Sequence, residues 1–186
     1  VLYPILDLKT IASPLHPRGL TARCYVHLLE ETTIRTLKRY GVEGRRTENP
    51  GVWVDEDVKI AAVGVHARRN VVSYGVGLNV GTDLRWFERV VACGLVGKET
   101  TSIEAWRKRE GRGEGRGEGK GEGVVDLGDV ASVWGREFAR GLWGEQQERV
   151  RDVNGEERRG LLEGLLEEGS DVYGEDIRWK DPEDVE

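Results

Sequence analysis

Residues 51–80 read Gly51-Val52-Trp53-Val54-Asp55-Glu56-Asp57-Val58-Lys59-Ile60-Ala61-Ala62-Val63-Gly64-Val65-His66-Ala67-Arg68-Arg69-Asn70-Val71-Val72-Ser73-Tyr74-Gly75-Val76-Gly77-Leu78-Asn79-Val80. Three valine-rich runs are separated by two short polar clusters. That spacing predicts three strands, Gly51 to Val54, Val58 to Ala67 and Val71 to Val80, joined by turns at Asp55-Glu56-Asp57 and Arg68-Arg69-Asn70. The result is an antiparallel meander. Its middle run is apolar enough to be covered on both faces. Lys59 stands near the head of that run, on the face shared with Ala61, Val63 and Val65. An ammonium there must snorkel to water, find a partner or lose its proton. Gly75 and Gly77 lie two apart and leave one strand face bare. A ligand or a second backbone could approach such a face, and a twisted or bulged strand explains the pair equally well.

Outward from this centre, Val1 to Leu8 is a further apolar strand. Residues 22–40 form a helix, with Val26, Leu29, Thr33, Leu37 and Tyr40 at helical spacing and Gly41 as its stop. Asp83 to Val91 reads as a short helix, followed by a break at Ala92-Cys93-Gly94-Leu95. Thr101-Ser102-Ile103-Glu104 has the form of a capping box and opens a helix through Arg109. Residues 111–123 (GRGEGRGEGKGEG) have nothing to bury and form a flexible insert. A helix resumes near Asp129, with Val130, Val133, Trp134, Phe138 and Leu142 in register. Residues 1–143 thus make one α/β domain, and 144–186 an acidic, disordered tail in which Leu161, Leu162, Leu165 and Leu166 form at most a short amphipathic helix.

Composition agrees with a folded part diluted by polar chain: hydrophobic residues are 38% and charged residues 33%. The net charge of −6 hides a split. Residues 1–110 hold 17 Lys+Arg against 13 Asp+Glu, and residues 111–186 hold 11 against 21. The front half can attract an acidic partner, and the back half is solvated. No apolar run is long enough to span a membrane, and no signal peptide opens the chain. The chain contains no methionine, position 1 included, so a fragment or trimmed product is expected. Cys24 and Cys93 form neither a disulfide framework nor a metal site, which makes a reducing compartment the default.

Several motifs fail on inspection. Gly94-x-x-Gly97-Lys98 lacks the first glycine and the Ser/Thr of a phosphate loop. The glycines of 111–123 follow no strand, so there is no dinucleotide fingerprint. No Cys/His spacing suits a metal. Arg45-Arg46 and Arg68-Arg69 are basic, but no aromatic-interleaved basic motif supports nucleic-acid binding.

Lys59 and Cys93 are the pair of chemical interest. An ammonium close to a thiol favours the thiolate, and the thiolate is the nucleophile. Backbone N–H groups of a glycine-bordered loop could hold an oxyanion. Together they suit acyl transfer through a thioester. The bland alternatives are a core cysteine at 93 and a snorkelling lysine at 59; Cys24, on the helix, fits the core reading.

The chain resembles the lipoyl(octanoyl) transferases, the octanoyltransferases of lipoate biosynthesis. The resemblance rests on motifs in family order: Tyr3-Pro4-Ile5-Leu6-Asp7-Leu8, Gly51-Val52-Trp53-Val54, Lys59 to Val65, Gly75-Val76-Gly77-Leu78-Asn79, Asp83-Leu84, Cys93-Gly94-Leu95 and Thr101-Ser102-Ile103. It spans about residues 1–106, and the helix at 129–142 continues it. It implies a mixed, mainly antiparallel sheet flanked by helices, as in the biotin and lipoate protein ligases. It implies Cys93 as the acyl-thioester nucleophile and Lys59 as the lysine that favours the thiolate and relays protons. Ala62, Val63, Gly64, Gly75, Val76 and Gly77 fall on segments that line the acyl chain and its carbonyl. No cofactor or metal is implied. The donor would be octanoyl-acyl carrier protein. The acceptors would be lipoyl domains of 2-oxoacid dehydrogenases and the glycine cleavage H protein. Arg45, Arg46, Arg68 and Arg69 are the basic residues available to an acidic carrier, or else plain solvated turns.

The chain departs from the family in three ways. The family's R-G-G and H-G-P-G-Q-like segments precede its Y-P-I strand, whereas this chain starts at Val1-Leu2-Tyr3. Tyr74 stands where the family commonly has histidine. The insert and acidic tail have no family counterpart and point to a eukaryotic, fungal source, for which the family is mitochondrial; a bacterial source would place it in the cytoplasm. Two rivals follow: a non-catalytic remnant, and an ATP-dependent lipoate or biotin ligase of the same fold that needs no cysteine.

Overall fold

A computed structural model of the chain describes residues 1–11, 13–89, 97–111 and 124–144. All of them lie in the compact unit Val1–Val150. The Cys93 break, almost all of the glycine-rich insert and the acidic tail fall outside the described residues.

The elements run β1 (Leu6–Asp7), α1 (Ala22–Arg39), β2 (Val52–Trp53), β3 (Val58–Arg68), β4 (Val71–Leu78), a 3₁₀ helix (Leu84–Arg89), β5 (Glu99–Thr100), α2 (Ile103–Arg109) and α3 (Leu127–Trp143). The sheet order is β1-β4-β3-β2, all antiparallel, and β5 joins β3 in parallel. The predicted meander is therefore β2-β3-β4, inside a mixed α/β sheet. Its tightest joint is the two-residue turn Arg69-Asn70, with φ of 51° and 70°. Two left-handed residues match the right-handed twist of the flanking strands, as a type I′ turn requires.

The N-terminal run behaves differently from its prediction. Only Leu6–Asp7 form a strand, and Leu2 adds one isolated bridge to Val76. Pro4 has no N–H to give to a ladder, so pairing is interrupted between them. The region predicted as a helix from Asp83 is a 3₁₀ helix over Leu84–Arg89. The parallel strand Glu99–Thr100 was not predicted; its register (Val58↔Glu99, Lys59↔Thr100) is set by a partner about forty residues upstream.

Helix starts follow capping chemistry. Thr21 Oγ1 accepts the Cys24 N–H at 3.1 Å, and Asp126 Oδ1 accepts the Asp129 N–H at 2.7 Å. At α2 the cap is Ser102, whose hydroxyl accepts the Ala105 N–H, and not Thr101 of the expected box. Glu104, the box's acidic member, accepts the Val125 N–H at 2.8 Å instead. It so ties the strand-side helix to the chain leading into α3.

One face of the sheet packs on α1, with α3 against α1. Tyr25, Leu29 and Leu37 of α1 are fully buried, as are Ala61, Val72 and Val76 of the sheet. Burial pushes the Tyr25 phenol up to about 12. Trp134 stacks on Phe138 and donates its indole N–H to Thr33 Oγ1 at 3.0 Å, so a buried polar pair locks α3 onto α1. Arg39 to Glu137 (3.2 Å) and Tyr40 to Asp129 (2.8 Å) close the rim. Cys24 is exposed, which corrects its reading as a core residue. It lies in the first turn of α1, one position before the buried Tyr25, and points off the apolar stripe.

Candidate active site around a buried strand lysine

β3 carries Lys59 where neighbours flank it on both sides. Lys59 pairs with Trp53 of β2 and with Thr100 of β5, and its carbonyl accepts the Thr101 N–H at 2.8 Å. Its side chain does not snorkel: the residue is 8% exposed. The Nζ donates to the Pro50 carbonyl at 3.2 Å and lies 4.7 Å from the centroid of the Trp53 ring. A carbonyl dipole and an aromatic face are both attractive to an ammonium where water is excluded. Trp53 is itself fully buried, and its indole N–H donates to the Asn49 carbonyl at 3.1 Å. A second cation, Lys98, stands 6.0 Å from the same ring and pairs with Asp57.

The turn that receives the ammonium depends on glycine. Gly51 has φ of 125°, and a Cβ there would meet the Ala61 carbonyl oxygen at 2.7 Å and Lys59 Cε at 3.3 Å. The Gly51 N–H donates to Glu30 Oε1 at 3.0 Å. Glu30 is 5% exposed and projects from α1.

The register divides the predicted acyl-lining residues between two faces. Ala62 pairs with Gly77 and Gly64 with Gly75, on one face; Val63 pairs with Val76 on the other, packed toward α1. Ala62 and Gly64 are exposed, and a Cβ at Gly64 or Gly77 would meet nothing within 4 Å. Gly75 is different: the Leu2 carbonyl and Pro4 occupy the place of its missing side chain. The bare face thus admits a second backbone at Gly75 and stays open at Gly64 and Gly77.

Tyr74 sits on the rim of this open face. Strand alternation would turn it inward with Val72 and Val76, but its φ is 65° and it is exposed. Its ring instead meets His66 and Tyr3 edge-on, at 6.4 and 6.3 Å between centroids. A left-handed tyrosine inside a strand is a costly conformation. Of the basic residues, Arg46 pairs with Glu31 at 3.9 Å and Arg45 reaches the Val54 carbonyl at 3.5 Å, while Arg68 and Arg69 are exposed at the hairpin tip. Cys93 lies outside the described residues. Among the described residues no group of three or more His, Cys, Asp or Glu could hold a metal, and no helix is long and apolar enough to cross a membrane.

Pro50, Trp53 and Glu30 were not singled out from the sequence as groups around Lys59. Glu30 had one legible signal: it lies four after Val26, three before Thr33 and seven before Leu37, so a carboxylate sits on the predicted apolar stripe. The Pro50 partner is a backbone carbonyl and has no side-chain signature.

Fold and site together define a mixed-sheet α/β domain built around a buried strand lysine. Residues 1–111 match the family model described as the lipoyl protein ligase A/B catalytic domain, and the chain belongs to that family. It is 50% identical over 103 residues to a Schizosaccharomyces pombe protein named "Probable octanoyltransferase", covering 55% of this chain and 44% of that one. It is 35% identical over 167 residues to the mitochondrial octanoyltransferase of Saccharomyces cerevisiae, covering 83% and 45%. It is 41% identical over 104 residues to the human mitochondrial octanoyl-acyl-carrier-protein:protein N-octanoyltransferase, covering 54% and 42%. The chain spans less than half the length of each of these relatives.

Proposed function

We propose that this chain is the lysine-bearing core of a mitochondrial octanoyltransferase of lipoate biosynthesis. The observation that carries the reading is Lys59, a buried ammonium held by a carbonyl and an aromatic ring, in a chain whose relatives are named octanoyltransferases. In this reading the Cys93 thiolate attacks the thioester carbonyl of octanoyl-acyl carrier protein. A new C–S bond forms, the carrier's own thioester C–S bond breaks, and the carrier leaves as its thiol with a proton given by the Lys59 ammonium. The amine of a lipoyl-domain lysine then attacks the acyl-enzyme. The C–N bond forms, the C–S bond to Cys93 breaks to restore the thiolate, and the amine's proton passes to the now neutral Lys59 amine, which becomes the ammonium again. A fixed lysine suits such a relay because proton transfer needs hydrogen-bond reach. Gly64 and Gly77 are suited to the acyl chain, since a Cβ there would meet nothing within 4 Å, and Ala62 beside them is exposed.

Incubation with octanoyl-acyl carrier protein, followed by intact-mass measurement, tests the reading. A covalent acyl-enzyme adds about 126 Da, lost in Cys93→Ser. A folded chain that gains no mass overturns it, and so does ATP-dependent octanoyl transfer that survives Cys93→Ser. The same assay run with the full-length protein reads the complete reaction.

A further inference from the structure

One peptide group, Pro50–Gly51, has a buried charged side chain at each of its polar atoms. Its carbonyl oxygen accepts from Lys59 Nζ at 3.2 Å, and its N–H donates to Glu30 Oε1 at 3.0 Å. The bond is trans, so the C=O and N–H point in opposite directions within the amide plane. The negative end of the peptide dipole faces the ammonium and the positive end faces the carboxylate. Glu30 is 5% exposed and Lys59 8%. Charges so buried are strongly unfavourable unless something compensates them, and hydrogen bonds in series polarise one another. Gly51, with φ of 125°, allows a turn that few other residues could make, and Pro50 brings no N–H of its own to anchor it. The orientation of the amide is therefore set from its two ends.

We propose that Glu30 is the positioning residue for the Lys59 amine, acting through the Pro50–Gly51 amide. The carboxylate orients that amide, and the amide's carbonyl fixes and strengthens its hold on the ammonium. Glu30 touches no reacting group. The inference rests on Lys59 being the proton-relaying group of the proposed reaction, but the placement of the amine can be read without any turnover.

The test is trace labelling of the whole chain with acetic anhydride at neutral pH, with each lysine followed by peptide mass spectrometry. In the wild-type chain Lys59 should label at least about tenfold more slowly than exposed Lys38 and Lys108, because reaction waits on local opening. Glu30→Leu should bring Lys59 to within about threefold of those lysines, since the turn loses its anchor. Glu30→Asp, one methylene shorter and still charged, should release it as well and carries the test where the leucine variant does not fold. Glu30→Gln keeps an oxygen acceptor for the Gly51 N–H and should keep Lys59 slow. Leu29→Ala, which weakens the neighbouring core without touching the turn, should also leave it slow. Four outcomes would overturn the proposal: a wild-type Lys59 as reactive as Lys38, a Lys59 still protected in both the leucine and aspartate variants, release in Glu30→Gln as large as in Glu30→Leu, or release in Leu29→Ala as large as in Glu30→Leu.

Discussion

The head of β3, Val58 to Ala61, is buried at every position, whichever face the side chain points to, while the stretch Ala62 to Arg68 is exposed or half-exposed throughout. The same strand thus lives in two environments. The head has β2 on one flank and is joined by β5, and Val58, Ile60 and Ala61 are part of the hydrophobic core. The remainder pairs with β4 alone among the named strands. The difference decides where chemistry can occur. An ammonium gains from a carbonyl and an indole face only where water is excluded, which is the case at the head. A ligand that must come and go needs open space, which is the case over Ala62, Gly64 and Gly77. The two environments meet at the junction Ala61–Ala62 but on opposite faces: by strand alternation Lys59 shares the α1-side face with Ala61 and Val63, and the open space lies on the other.

Substitutions on either side of that junction should separate the two environments. The largest effect belongs to Trp53→Ala, which empties the fully buried ring that roofs Lys59. Denaturant unfolding should show a loss of about 3–5 kcal/mol. A loss below about 1 kcal/mol would mean that the head is not a packed core. Gly75→Ala comes next. It sets a methyl against the Leu2 backbone, and a cost of about 1–3 kcal/mol is expected in the same measurement. Tyr74→Asn replaces a residue that resists φ of 65° by one that tolerates it. A gain of about 0.5–1 kcal/mol is expected, set against the lost ring contacts with Tyr3 and His66. Gly64→Ala, on the open stretch, should change stability by less than about 0.5 kcal/mol. If Gly64→Ala proved as costly as Gly75→Ala, the face over Gly64 would be covered and the comparison between head and remainder would fail.

The sequence made some of this arrangement legible and hid the rest, for physical reasons that differ by residue. The hairpin of β3 and β4 was readable because alternation and turn chemistry are local. Helix α1 was readable because its apolar spacing is local too. The strand Glu99–Thr100 was not, since two residues carry no period and only the distant partner Val58-Lys59 defines them. The cap of α2 was displaced by one residue because Glu104 was recruited by Val125, a contact between segments far apart in the chain. That the run carrying Lys59 would be covered followed from its hydropathy, while snorkelling, pairing and loss of the proton all stayed open for the amine itself. What encloses it did not follow, because the contacts are a backbone carbonyl, a ring on the preceding strand and a carboxylate that reaches the turn from α1. Tyr74 is the clearest limit. Nothing in VVSYGVGL announces a left-handed tyrosine, and its outward turn depends on which ring surfaces it finds there.

The Arg69-Asn70 turn has a kinetic consequence. It joins two strands that pair over eight consecutive registers, from Ala61↔Leu78 to Arg68↔Val71. Closing a two-residue loop demands little chain entropy, and hairpins of this kind form in about 1–10 μs. Leu2 and Glu99 reach the same two strands from much farther along the chain, so their loops close later and at greater entropic cost. The hairpin should therefore be an early template in folding, with the contacts that β5 and Glu30 of α1 bring to the Lys59 region assembling later on its head. Substitutions at Asn70 that forbid a positive φ would then slow folding more than they speed unfolding.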